Sequence, residues 1–116
     1  MQQDLTQLKC EPCHGGTPTL TLEEVAQHMP SVSQEWEPVD GNRLRREFCW
    51  RNFLRSMFFV NAVAYLAEQE GHHPDMTISY NRVTVEMTTH VIGGLSRNDF
   101  IMAAKIDKLV EGEGEK

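Results

Sequence analysis

His72-His73-Pro74 and His90 are the residues whose types and spacing could do chemistry in this 116-residue sequence. Imidazole titrates near neutrality, so a histidine can give or take a proton at cellular pH. Adjacent side chains on a strand point to opposite faces, but in a loop they can fan around one ligand. Pro74 fixes its own φ and pushes His73 into extended geometry, which stiffens that loop. The competing reading is an exposed polar turn in which both histidines are incidental. Against it, the pair precedes a hairpin whose second strand is expected to end at His90. The hairpin returns His90 towards the start of its first strand, so His72, His73 and His90 can form one cluster. The expected chemistry is general acid–base catalysis on a small polar substrate.

A metal is the other use of three histidines. Zinc ligands are usually separated by two to four residues and each imidazole has a hydrogen-bonded acceptor behind it. Adjacent histidines are poor partners for one ion and no further ligand stands at an obvious spacing, so no metal site is expected. Asp99 has two compatible roles. As the third residue of a helix it stabilises the helix start by about 0.3–1 kcal/mol, and it can orient a nearby histidine.

Cys10-Glu11-Pro12-Cys13-His14 has the C-x-x-C-H spacing of haem attachment. That chemistry needs export, and the N-terminus has no apolar signal region. A zinc site would lack a fourth ligand, because Cys49 falls within an expected strand. A redox pair would normally open a helix in a βαβ setting. The motif reads as a peripheral dithiol, with metal binding between subunits left open and no part in the main activity.

The elements that must position these groups follow from periodicity. Residues 1–19 are polar, carry Gly15, Gly16 and Pro18, and read as a mobile lead-in. Thr21 with Glu24 is a capping box opening a short helix through Leu22, Val25, Ala26 and Met29. Trp36 to Val39 and Arg43 to Trp50 flank a turn at Asp40-Gly41, with Leu44, Arg46, Phe48 and Trp50 alternating with polar neighbours. Asn52 to Gln69 is a long helix in which Leu54, Met57, Phe58, Asn61 and Tyr65 keep helical spacing, extended by Glu68, with Gly71 as its C-cap. Phe53, Leu54, Met57, Phe58 and Phe59 read as core and subunit interface. A second hairpin is expected with strands Thr77–Tyr80 and Val83–His90 about a turn at Asn81-Arg82. Gly93-Gly94 breaks it, and Ser96 opens a last helix with Met102, Ala103, Ile106, Leu109 and Val110 on one side. The fold class is α+β, in the order α-β-β-α-β-β-α: a four-stranded antiparallel sheet with helices packed on one face. The other face carries Thr84, Glu86, Thr88 and His90. The domain runs over 20–111, and 112–116 is expected to be a disordered tail.

Length and composition bound the alternatives. The chain is one domain. Its net charge of −6 and pI of about 5.3 argue against a nucleic-acid binder. The local cluster Arg43, Arg45, Arg46 and Arg51 reads as a solvated face. No apolar run is long enough to span a membrane. The odd count of cysteines argues against a secreted disulfide framework, so the expected compartment is cytoplasmic. With few residues to cover both sheet faces, an oligomer is expected.

The stretch from Glu70 to Asp99, with His-His-Pro, Tyr-Asn-x-Val, Thr-His and Gly-Gly-Leu-Ser, resembles the pterin-4a-carbinolamine dehydratases. The resemblance runs from about Leu22 to Val110, and the CxxC lead-in resembles bacterial members. It implies loss of water from a 4a-hydroxytetrahydropterin to give the quinonoid dihydropterin, which recycles the cofactor of aromatic amino-acid hydroxylases. It implies His72, His73, His90 and Asp99 as the active-site set, Pro74, Thr88 and Thr89 as substrate contacts, no cofactor, and a homodimer or homotetramer. Val91 stands where some relatives have an acidic residue and Met76 where some have an aromatic one. Both departures touch substrate contacts rather than the acid–base set. The alternative is a non-catalytic interaction protein on the same fold, resembling a transcriptional coactivator or a Rubisco assembly factor.

Overall fold

The computed structural model describes residues 4–12 and 14–111. Helix α1 (Leu22–His28) opens with the expected capping box: Glu24 N–H donates to Thr21 Oγ1 at 3.1 Å and Thr21 N–H to Glu24 Oε1 at 2.8 Å. Strands β1 (Glu37–Val39) and β2 (Arg43–Cys49) turn at Asp40-Gly41, where both residues have positive φ, 55° and 71°. A Cβ at 41 would also lie 2.7 Å from Leu22 Cδ2, the end of an exposed side chain that would have to move aside. Helix α2 (Phe53–Glu70) is capped at its start by Asn52 Oδ1, which accepts from Arg55 N–H, and at its end by left-handed Gly71. Strands β3 (Asp75–Ser79) and β4 (Arg82–Met87) follow, then helix α3 (Arg97–Val110).

The sheet is antiparallel throughout, in the order β1-β2-β4-β3, with Leu44 opposite Met87 and Phe48 opposite Val83 at its centre. Its inner face presents Leu44, Phe48, Val83, Val85 and Met87 to Phe59, Val63 and Ala67 of α2 and to Phe100, Met102, Ala103 and Ile106 of α3, all buried. This is the α+β arrangement expected from the sequence, with helices on one face.

Several local expectations are corrected. The turn between β3 and β4 is centred on Tyr80-Asn81, with Tyr80 at φ 48°, and Arg82 already belongs to β4. Strand β4 ends at Met87 rather than His90. Beyond it the backbone closes a tight helical turn, His90–Ile92, because Gly93 takes up φ 70° and lets its N–H reach the carbonyls of Thr89 and His90. The stripe Leu54, Phe58 and Tyr65 of α2 is exposed, and the core face is Ser56, Phe59, Val63 and Ala67. Helix α2 is apolar on more than one side, so spacing alone does not say which side turns inward. Leu109 of α3 is likewise exposed.

Arg46 is not part of a solvated arginine face. It points inward, buried, with Nη1 2.7 Å from Asp107 Oδ1 and its guanidinium 4.2 Å over the Phe48 ring. Asp107 also accepts from Trp36 Nε1 at 2.6 Å and from Ser33 N–H at 2.8 Å. Burial pushes its carboxyl above the usual range, against the pull of these donors and of Arg46.

The segment ahead of Thr21, expected to be a mobile lead-in, is packed against the domain at its start. Leu5 is buried in a short turn, Leu5–Gln7, capped by Asp4, and Leu8, Cys10 and Leu20 lie against the core. One buried leucine and a set of long-range hydrogen bonds outweigh the polar composition that suggested mobility. Cys13 and the tail 112–116 lie outside the described residues.

Candidate active site

His72 leaves α2 immediately after its C-cap, and its N–H still bonds back to Ala67 at 3.3 Å. The left-handed Gly71 thereby turns the chain so that the imidazole meets α3. Its Nε2 lies 2.7 Å from Oδ1 of Asp99, whose side chain is fully buried. The other oxygen, Oδ2, accepts from Thr89 Oγ1 at 2.8 Å and from the backbone N–H of Ser96 at 2.9 Å. Thr89 Oγ1 lies a further 2.8 Å from Ser96 Oγ. Asp99 thus carries both roles considered from the sequence: it caps α3 with one oxygen and holds His72 with the other. With Nε2 committed to Asp99, Nδ1 is the nitrogen left for a ligand.

His73 and His90 are exposed and each meets a carboxylate. His73 Nε2 is 2.6 Å from Glu68 Oε2, one turn back on α2, and His90 Nε2 is 3.2 Å from Asp75 Oδ2 at the start of β3. Sequence reasoning missed Asp75 as a partner. The hairpin argument that brought His90 towards the beginning of β3 contained the signal.

The three imidazoles open on one cleft of about 230 Å³, whose walls include Gly71, Thr88, Thr89, Val91 and Asn98. Thr88 Oγ1 donates to Asn42 O at 2.7 Å, so the cleft floor is tied to the β1–β2 turn. The Thr89 hydroxyl is directed to Asp99 rather than into the cleft. Pro74 stands behind His73, outside the cleft lining. Cleft residues Glu11 and Pro12 come from the N-terminal segment, which the sequence did not connect with the site.

Of the cysteine motif, Glu11 and Pro12 lie in the cleft wall, while Cys10 is not among the cleft-lining residues. Burial, then the charge of Glu70, pushes the Cys10 thiol up to about 12. Its Sγ lies 3.7 Å from Asn98 O, as an S–H donor. Cys49 is exposed on the outer sheet face. Among the described residues no three His, Cys, Asp or Glu side chains are grouped to hold a metal ion.

Fold and site together define a small α+β domain that presents three imidazoles, one anchored on a buried carboxylate, to an open cleft. A sequence model of the family described as pterin 4 alpha carbinolamine dehydratase matches residues 18–109. A Nitrosomonas eutropha protein, named provisionally as a pterin-4-alpha-carbinolamine dehydratase, is 51% identical over 107 residues, covering 92% of this chain and 94% of its own. A Legionella pneumophila protein of the same provisional name is 43% identical over 111 residues, covering 95% and 98%. The crystal structure of a transcriptional coactivator/pterin dehydratase from Brucella melitensis superposes with a TM-score of 0.73 at 31% identity, over 79% of this chain and 98% of that one. A pterin dehydratase-like protein identified as a RuBisCO assembly factor in the alpha-carboxysome shares the fold, with a TM-score of 0.56 at 21% identity over 71% and 92%. The chain belongs to the pterin 4 alpha carbinolamine dehydratase family.

Proposed function

We propose that the protein removes water from a 4a-hydroxytetrahydropterin by histidine acid–base catalysis. The observation that carries this reading is the buried His72–Asp99 pair, 2.7 Å apart, opening on a cleft that His73 and His90 also line. Hydroxide is a poor leaving group, so an acid must protonate the oxygen on C4a. The N5 lone pair then forms the C4a=N5 bond as the C4a–O bond breaks, and the N5 proton passes to a base. Water and the quinonoid dihydropterin are the products.

His72 and His90 act as acids on the carbinol oxygen, and His73 binds the ring and assists as base. Asp99 orients His72 and fixes which nitrogen faces substrate. Thr88 and Thr89 shape the floor, and Pro74 holds His73 in place. Chemistry of this kind is worth about 10²–10⁴-fold in rate per proton-transferring group. Neither a metal nor a redox cofactor enters the sequence of steps.

In the cell, the product feeds an aromatic amino-acid hydroxylase through reduction of its quinonoid ring, in the cytoplasm. The exposed stripe Leu54, Phe58 and Tyr65 supports a homodimer or homotetramer. The Brucella relative's title joins coactivator to dehydratase; three imidazoles converging on one cleft favour the catalytic reading here.

The test is turnover of synthetic 4a-hydroxytetrahydropterin by the purified protein. Acceleration over buffer that falls in His72→Ala and His90→Ala supports the proposal. Wild-type protein no faster than buffer overturns it.

A further inference from the structure

His72 and His90 are held in contrasting ways. Asp99, which grips His72, is fully buried, whereas His90 stands in solvent on the helical turn after β4. The backbone of that turn is closed by Gly93, whose N–H donates to His90 O at 3.1 Å. The ring itself has one charged partner among the described residues: its Nε2 lies 3.2 Å from Asp75 Oδ2. Asp75 is exposed as well, and among the described residues its carboxylate has no second hydrogen bond or ion pair. Beyond its backbone place in β3, the fold makes no use of this side chain.

The sheet explains why this carboxylate is left for His90. Asp75 opens β3 directly opposite Glu86 of β4. Cross-strand partners share a face, so two carboxylates stand side by side, which is destabilising for like charges without partners of their own. Glu86 has Arg43 Nη1 at 3.2 Å and Arg45 Nη1 at 4.0 Å. Asp75 has the His90 ring. His90 lines the cleft and Asp75 does not, so the carboxylate stands behind the imidazole rather than beside a ligand. With Nε2 turned to Asp75, Nδ1 is the nitrogen of His90 that remains for the cleft, the same division as at His72.

We propose that Asp75 is a positioning residue: it holds His90 by Nε2 and keeps Nδ1 turned to the reacting oxygen. This rests on reading the cleft as a dehydratase site. Without a partner, an exposed imidazole samples several rotamers, and a proton donor works only while it is aimed. An exposed ion pair biases those rotamers without locking them, so its effect is modest. The effect falls on kcat rather than KM, because Asp75 acts through the ring and not on the ligand.

The experiment measures kcat and KM for 4a-hydroxytetrahydropterin in wild type, Asp75→Ala, His90→Ala and the double variant. Glu86→Gln serves as the control for a neighbouring charge. Thermal melts check folding, and Asp75→Ala, an exposed change at a strand end, is expected to melt with wild type. The expected result is a kcat about fivefold lower in Asp75→Ala with KM within about twofold. In the His90→Ala background the same substitution changes nothing further, because its effect passes through that ring. Glu86→Gln keeps the wild-type kcat. Equal kcat in wild type and Asp75→Ala overturns the assignment while leaving the dehydration standing. An equal fall in both backgrounds, or a matching fall in Glu86→Gln, overturns it too, since Asp75 then changes the charge of the surface and not the aim of His90. Wild-type protein no faster than buffer overturns the reading of the cleft, and the role of Asp75 with it.

Discussion

Asp99 reaches His72 across 27 residues of chain and does so with the oxygen that its own helix does not use. The pair therefore divides cleanly between chemistry and structure. His72→Ala leaves Asp99 Oδ1 buried without its partner, so the expected loss is about 10²–10⁴-fold in kcat with a melting loss smaller than that of Asp99→Ala, which keeps neither oxygen. Asp99→Ala takes away the helix-start bond and the imidazole's partner together. Both rate and stability should fall, the latter by about 1–3 kcal/mol for a buried charge-assisted bond lost. Stopped-flow dehydration assays beside thermal melts separate the two variants. Equal melting losses would contradict the division.

Arg46 and Asp107 make a different kind of pair, in which Arg46 of the inner sheet face is buried and Asp107 of α3 is 17% exposed. Removing Asp107 leaves the Arg46 charge in the interior. Asp107→Ala is expected to lose about 3–5 kcal/mol in urea unfolding, and Arg46→Met less, because it removes a charge without orphaning Trp36 Nε1. Dehydration by whatever fraction remains folded should be unaltered.

Glu70 gives the attachment of the N-terminal segment a pH dependence: it accepts from Cys10 N–H at 2.9 Å and is held by Lys105 Nζ at 2.7 Å. Burial pushes its carboxyl up, but the Cys10 N–H with Lys105 and Lys9 outweighs that, and the net position is below 4.5. The folded pKa is thus lower than the unfolded one. The contribution to stability is present above about pH 4.5 and is lost as pH falls through the folded value. Glu70→Gln should lower the melting temperature at about pH 7 and converge with wild type in acid, once the folded carboxyl is protonated. A gap that persists in acid would mean that Glu70 acts without its charge.

The outward stripe of α2 should be visible in solution. Leu54, Phe58 and Tyr65 are each more than half exposed, on a helix whose opposite face is core. Light scattering is expected to report a multimer for wild type. Phe58→Glu, at a side chain more than half exposed, should shift the protein towards monomer. A wild-type monomer at micromolar concentration contradicts the assembly.

The sequence carried the order of elements because capping boxes, turn residues and alternation are local. Thr21 with Glu24, Asp40-Gly41 and Ser96 with Asp99 each act over four residues or fewer, and each element begins where they indicate. The histidine cluster was legible for a related reason: a hairpin returns its far end to its near end whether β4 stops at Met87 or at His90. What escaped was long-range. Nothing in the spacing of α2 distinguishes Phe59 from Phe58, since the choice depends on which side meets Phe48. The inward turn of Arg46 is decided by Asp107, on another helix. The N-terminal segment is held at Cys10 by Glu70 and at Glu11 by Asn98, which match no local pattern with either residue.

A lineage of this fold that abandoned dehydration could shed His73 and His90 at little thermodynamic penalty, since both imidazoles stand in solvent. It could not discard Asp99 so freely, because α3 would lose the anchor of its first turn. Decay of the activity would therefore be uneven across the site. The exposed imidazoles would drift first, and the carboxylate would outlast the reaction it once supported.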